Sequence, residues 1–141
     1  SGLLLERDGI RLLEVAKVEP QPGSGENHAL LATSSLVERG RVTLRGEIVD
    51  IKCWLGRMKP GDGRTHRACA QFCIAGGIPP VLVTRDQAGV ERRYLLTSPE
   101  GGAINDAVLP YVAEVVEVDG SLETAPGMSF LRLDPALIRR L

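Results

Sequence analysis

Short runs of alternating apolar and polar residues recur along the chain, and this period of two is typical of half-buried β-strands. The clearest run begins at Arg41, where Val42, Leu44 and the apolar residues of 48–51 predict one long strand. Gly46 lies in its middle, and a glycine inside a strand often marks a bulge or a coil in the sheet. Similar runs predict four further strands at 81–86, 92–97, 115–118 and 129–133.

Two segments break this alternation and predict helices. The run from His66 to Ala75 has no Gly or Pro, with Thr65 as the predicted N-cap and Gly76 and Gly77 as the stop signal. The run 104–114 is also predicted to be helical, with Asn105 or Asp106 as its cap, although Pro110 is unfavourable there unless it falls near the first turn. At the other end of the chain, residues 3–15 predict a β-hairpin with its turn at Asp8-Gly9.

The order of these elements predicts a mainly β protein with an OB-fold-like, five-stranded Greek-key barrel. A short cysteine-bearing helix is inserted after the first barrel strand, a second helix lies between strands 3 and 4, and an extra hairpin precedes the barrel. The predicted organisation is a hairpin at 1–19, a linker at 20–40 that is rich in Pro and Gly, and an OB-like domain at 41–141. The hairpin weakly resembles the C-terminal segment from Asp119, which suggests the remnant of a second OB-like unit. His28, alone in the linker region, is expected to be a solvent-facing or structural histidine.

Composition and charge exclude some classes of function. A chain of 141 residues with 17 basic and 18 acidic side chains has a formal net charge of -1, so no general field attracts it to nucleic acid or anionic lipid. Single-strand binding also needs stacking aromatics in a basic groove, and the chain has one Trp, two Tyr and two Phe. No apolar run approaches the roughly 20 residues of a membrane-spanning helix. Because the chain starts at Ser1 without Met, an upstream targeting segment or anchor could have been removed.

The three cysteines and one of the two histidines fall in one stretch, 46–77, in the order Cys53, His66, Cys69 and Cys73. At 100° per residue, the last three would share one stripe of a helix. Cys53 would join them from the end of the preceding strand if the loop after it folds back. These four residues predict a tetrahedral site for Zn²⁺ or Cu(I), because thiolates and imidazole suit such ions.

Two other interpretations of the cysteines remain open. A disulfide from Cys53 to Cys69 or Cys73 would leave one thiol free, whereas Cys69 and Cys73, one helical turn apart, are poorly placed to bridge each other. The thiols could also be inert core residues or reactive groups. The odd number of cysteines and the position of His66 favour the metal site. Asp50 is a candidate acceptor for the ring N–H of His66, although a strand-end carboxylate is also an ordinary feature.

The segment GEIVDIKC, followed by HRACAQFCIAGG, resembles a family of small, functionally uncharacterised bacterial periplasmic or secreted proteins with an OB-like fold. In that family a Gly-x-[Ile/Val]-x-Asp-x-x-Cys strand precedes a His-x-x-Cys-Ala-x-x-Cys helix. The resemblance covers roughly residues 42–133, implies export, and singles out Asp50 together with the four candidate ligands. Export would favour a disulfide, because thiols in the periplasm are readily oxidised. The Ile-Pro-Pro after Gly77 and the leading hairpin resemble a longer, membrane-tethered subgroup, whose tether would be an upstream segment.

Three classes of function follow. The first is a non-enzymatic, extracytoplasmic binding module that holds a metal ion. The second is a disulfide-stapled structural or assembly protein that docks on a membrane-associated partner, or on a second copy, through the N-terminal hairpin. The third is a thiol oxidoreductase, which is disfavoured because the chain lacks a CxxC pair, a Ser/His/Asp set and a Gly-rich phosphate loop. The basic residues 57, 59, 64 and 67 could face an acidic partner, although a solvated loop is the usual role of such a cluster.

Overall fold

The computed structural model describes residues 1–19 and 36–141, and their fold is mainly β. The strands are β1 (Gly2–Arg7), β2 (Ile10–Val15), β3 (Val37–Asp50), β4 (Pro80–Arg85), β5 (Glu91–Thr97), β6 (Val115–Ala125), β7 (Met128–Leu133) and β8 (Arg139–Arg140). The α-helices are α1 (Arg67–Ala75) and α2 (Asn105–Val108).

Five of these strands close into a barrel in the order β3, β4, β5, β7, β6 and back to β3. The sheet is mixed, because β5 and β7 run parallel while the other barrel pairs are antiparallel. β8 adds a short pairing to β6. The predicted mainly β, five-stranded barrel with an extra hairpin is therefore confirmed.

Closure depends on β3, which pairs with two different neighbours along its length. Its residues 37–47 pair with β6 and its residues 47–50 pair with β4, so Glu47 lies opposite both Val83 and Val115. A Cβ on Gly46 would lie 2.3 Å from the carbonyl oxygen of Val83. Glycine at position 46 thus permits the close backbone approach where the strand changes partners. The bulge in β3 lies elsewhere, between Glu38 and Gly40.

The barrel encloses one apolar core that also anchors both helices. Its buried members are Ile48, Ala70, Ile74, Leu82, Tyr94, Leu96, Ile104, Val108, Val112, Ala113, Val116, Val118, Leu131, Leu133 and Ile138. The helix predicted over 104–114 is shorter in the structure. α2 ends at Val108 and continues as a 3-10 turn, Leu109–Tyr111, because Pro110 has no N–H to extend the helix.

The N-terminal hairpin packs against the outer surface of the barrel. Leu5, Ile10 and Leu12 contact a second apolar cluster, formed by Val49, Ile51, Trp54, Leu55, Val81 and Val83. Alternation along β2 places Ile10, Leu12 and Glu14 towards the barrel and the residues between them towards solvent. The hairpin thereby acquires the apolar partner that an isolated two-stranded sheet needs for stability.

The predicted boundaries at 1–19, 20–40 and 41–141 are only partly covered by these residues. His28 and most of the predicted linker lie outside the described part of the chain. β3 begins at Val37, before the predicted strand start at Arg41. In the two described segments, no helix combines the length and the apolar character needed to cross a membrane.

Candidate metal centre

The insert between β3 and β4 (residues 51–79) brings Cys53 back towards the barrel. After β3 the chain forms a wide helical turn, Cys53–Arg57, and bends at Gly56, whose φ is 117°. The following loop then returns across this turn, and a Cβ on Gly61 would lie 2.3 Å from the carbonyl oxygen of Cys53. The backbone N–H of Gly63 donates to Glu47 Oε1 at 2.5 Å, which ties the loop to β3. The fold-back that the predicted site requires is therefore present.

Helix α1 supplies the other two sulfurs from one flank. Ala70 and Ile74 are buried in the barrel core, Phe72 points to solvent, and Cys69 and Cys73 are half-buried between these two faces. The C-terminal end of α1 is held by Asn105, whose Nδ2 donates to the carbonyl oxygens of Ile74 (2.8 Å) and Ile78 (3.0 Å). Core packing and this cap set the position of the two thiols.

The N-terminal end of α1 differs from the prediction. The N-cap residue is His66, without a side-chain capping bond, so the prediction that Thr65 caps the helix is wrong. His66 belongs to a 3-10 turn, Arg64–His66, that precedes the helix. Its side chain is therefore not one more member of the α1 stripe.

The three sulfurs converge. The Sγ atoms of Cys53, Cys69 and Cys73 lie within 4.8 Å of one another, and no disulfide joins them. Three thiolates bound to one Zn²⁺ at about 2.3 Å in a tetrahedron would be about 3.8 Å apart, so this spacing fits a common ion. The three sulfurs are therefore close enough to bind one ion together. One comes from the turn after β3 and two come from α1.

His66 enters through a second group that shares Cys53. Ligand atoms of Asp50, Cys53 and His66 also lie within 4.8 Å of one another, and all three residues are buried. His66 Nε2 is 3.1 Å from Asp50 Oδ2, and the backbone N–H of Cys53 donates to Asp50 Oδ1 at 2.8 Å. An ionised carboxylate only accepts, so in the neutral tautomer that fits this contact Nε2 would carry the hydrogen and Nδ1 would keep its lone pair. A carboxylate that fixes the tautomer in this way is typical of metal-binding histidines.

Two of the three thiols, those of Cys53 and Cys73, have a raised pKa. Burial raises the pKa of the Cys53 thiol far above its usual value, and the Asp50 carboxylate adds to the effect. The pKa of Cys73 is also raised, first by burial and then by Asp50 and Cys69, while Lys52 opposes the shift. A nucleophilic cysteine needs a lowered pKa, so this environment disfavours attack by these two thiols, and a bound cation would have to displace their protons.

The contribution of the N-terminal hairpin to this site was missed from the sequence. Trp54, next to Cys53, is 1% exposed, and the guanidinium of Arg7 lies 4.1 Å from the centre of its ring. Among the predicted basic residues, Arg57 pairs with Glu14 of the hairpin and Arg67 pairs with Glu114. The alternation of residue types in β1 and β2 predicted that the hairpin has an apolar face. It did not predict which surface of the protein that face covers.

Comparison of the chain with protein-family models, with curated proteins and with solved structures found no match. The functional argument therefore depends on the geometry and chemistry of the site.

Proposed function

We propose that this protein is a non-enzymatic, extracytoplasmic binding module with an OB-like fold. It holds a Zn²⁺ or Cu(I) ion through Cys53, His66, Cys69 and Cys73. The observation that carries the proposal is the convergence of three sulfurs beside a buried Asp50–His66 pair.

The ligand chemistry supports a soft or borderline ion. Thiolate ligands select Cu(I) and Zn²⁺ over hard ions such as Mg²⁺ and Ca²⁺, which prefer oxygen. Three thiolates and one imidazole would complete a tetrahedral shell, and a closed shell is typical of structural or carrier sites rather than catalytic ones. Asp50 would act by orienting His66 rather than by binding the ion.

The barrel topology supports the OB-like assignment. Numbered from β3, the strand order is 1-2-3-5-4-1, and α2 lies between the third and fourth barrel strands. A five-stranded Greek-key barrel with a helix at this place is the arrangement expected of an OB fold. The periplasmic location and a tether upstream of the chain come from the resemblance of the segments around Cys53 and Cys69 to exported bacterial proteins.

The alternative is a disulfide-stapled assembly protein that docks on a membrane-associated partner. The closeness of Cys53 to both Cys69 and Cys73 favours it, because oxidation in an exported protein could join Cys53 to either one. The bond would tie the end of β3 to α1 and leave one thiol free.

Elemental analysis combined with a thiol count separates the two functions. The protein is purified without chelator, analysed for zinc and copper, and then denatured without reductant for thiol titration. The proposal predicts about one equivalent of metal and three titratable thiols per chain after chelation. One thiol and no metal would establish the disulfide and refute the proposal.

A further inference from the structure

The N-terminal hairpin holds the turn that carries Cys53 from two sides. On one side, Arg7 Nη1 donates to the carbonyl oxygen of Trp54 at 2.8 Å, and its guanidinium stacks over the indole ring. Arg7 Nη2 is itself held by Glu91 Oε2 of β5 at 3.0 Å. Arg7 therefore connects the hairpin, the turn and the barrel.

On the other side, Glu14 of β2 contacts both ends of the same turn. Its Oε1 is 3.3 Å from Lys52 Nζ, and its Oε2 is 3.4 Å from Arg57 Nε. These two residues bracket Cys53 along the chain. One carboxylate on the hairpin thus spans the segment that presents the ligand.

The exposure of the three cysteines agrees with this arrangement. Cys53 is 1% exposed, whereas Cys69 and Cys73 on α1 are half-buried. Leu5 and Leu12 of the hairpin pack against the apolar cluster that contains Trp54. The hairpin covers the turn from outside while the barrel supports it from inside.

We propose that Arg7 and Glu14 are positioning residues for the metal site. They hold the Cys53 turn closed, so that Cys53 is presented to α1 and shielded from solvent. Loss of either contact frees Cys53 and weakens metal binding without removing a ligand. Only the metal-binding consequence rests on the proposed function, because the shielding of Cys53 exists without any ion.

Alkylation of the individual thiols tests the positioning directly. The full chain is reduced, freed of metal and treated with iodoacetamide, and each cysteine is followed by peptide mapping. Arg7→Ala should accelerate modification of Cys53 about tenfold, as expected for loss of one hydrogen bond from a charged donor. The loss of the Arg7 charge cannot explain a faster reaction, because removing a nearby cation raises a thiol pKa and slows alkylation. A faster reaction of Cys53 in Arg7→Ala therefore reports greater exposure.

Arg11→Ala is the matched control. Arg11 lies on the same hairpin, pairs with Glu6 and is directed towards solvent. Its removal should leave the three rates within about twofold of the parent, as expected for a surface ion pair. Cys69 and Cys73 serve as internal references in each variant.

The proposal fails if Arg7→Ala folds and Cys53 still reacts within about twofold of its parent rate. It also fails if all three thiols accelerate equally, because that pattern indicates general destabilisation. If circular dichroism shows that Arg7→Ala does not fold, the Glu14→Gln variant tests the proposal instead, since this change preserves the shape of the side chain and removes its charge. Because loss of a negative charge by itself lowers a thiol pKa and speeds alkylation, the rate of Cys53 is compared per thiolate, from its pH profile. That rate should rise about threefold, and an unchanged rate per thiolate would overturn the proposal.

Competition with a chromophoric chelator tests the consequence for Zn²⁺. Arg7→Ala should weaken binding about tenfold and Arg11→Ala should not. If the parent protein binds neither Zn²⁺ nor Cu(I), the proposed function fails, and the alkylation rates still decide whether the hairpin positions Cys53. Equal Zn²⁺ affinity in the parent and Arg7→Ala proteins would refute the link to metal binding.

Discussion

Asp50→Asn is the sharpest test of the candidate site, because Asp50 is fully buried and uses its two oxygens for two different donors. Oδ1 accepts the backbone N–H of Cys53 and Oδ2 accepts Nε2–H of His66. Asparagine has one carbonyl oxygen of the same shape. In the variant, one of these two donors must face an NH₂ group.

The magnitude follows from the cost of an unsatisfied buried donor, about 1–3 kcal/mol. The entropy of unfolding, about 2.1 cal/mol/K per residue, is about 0.3 kcal/mol/K for a chain of this length. The melting temperature of the metal-free protein should therefore fall by about 3–10 °C. An amide that donates to Nε2 would also favour the tautomer with its hydrogen on Nδ1, and so remove the lone pair that the ring could offer to an ion. Loss of such an orienting carboxylate typically lowers metal affinity about 10–100-fold.

Calorimetry of the metal-free protein and a chelator competition for Zn²⁺ measure the two effects. Asp134→Asn is the matched control, since Asp134 accepts a single N–H, from Ala136, as the cap of a short 3-10 turn. Asparagine caps helices about as well as aspartate, so the control should melt within about 1 °C of the parent. If Asp50→Asn matches this control in stability and in Zn²⁺ affinity, the Asp50–His66 contact does not orient a ligand.

Three further predictions concern the same site. His66→Ala should lower metal content and stability together, whereas in a disulfide-stapled protein it should change little; elemental analysis and thermal melting distinguish these outcomes. Because the pKa values of Cys53 and Cys73 are raised, their neutral thiols stabilise the metal-free fold below pH 9.0, and this stability is lost as the pH rises beyond it. Zn²⁺ binding should correspondingly strengthen with pH and release the protons of Cys53 and Cys73 near pH 7, measured by calorimetry in buffers of different ionisation enthalpy. Gly61→Ala should displace the Cys53 carbonyl and weaken metal binding, whereas Gly102→Ala, where the new Cβ meets only Ser98 Oγ at 3.5 Å, should not.

The periodicity of the sequence predicted the barrel where its strands alternate. In β6, Val116 and Val118 are buried in the barrel core while Glu117 between them is more exposed, and the order of residue types along the strand already shows this alternation. The hairpin was predictable for a similar reason, since Asp8 and Gly9 adopt the positive φ values of 50° and 77° that their residue types favour. Close backbone approaches leave no such signal. Gly61 could not be distinguished from any other loop glycine, although its contact with Cys53 shapes the site.

The sequence correctly placed Cys69 and Cys73 on one helix, but it was less accurate about the start of that helix. Cys69 and Cys73 share one flank of the helix, as a spacing of four residues requires. The placement of His66 on the same stripe assumed that the helix begins at that residue. In the structure His66 ends a 3-10 turn, and its ring lies beside Asp50. The sulfur in the same close group as His66 and Asp50 is that of Cys53. The geometry of a helix terminus is set by tertiary contacts that periodicity does not record.

The separation of the barrel core from the ligand set indicates how metal binding contributes to stability. No cysteine belongs to the apolar cluster inside the barrel, although Cys53 is buried, while Ala70 and Ile74 anchor α1 in that cluster independently of any ion. In small zinc modules the ion substitutes for a core that the chain cannot build, so folding and binding are one event. Here the core anchors α1 without help from an ion, and Asp50 contacts the ring of His66. If the proposed site binds a metal, binding would add to the stability of a fold that has its own core, in proportion to the logarithm of free metal over its dissociation constant. Such a site would gain and lose its ion without unfolding, which would suit a carrier better than a purely structural centre.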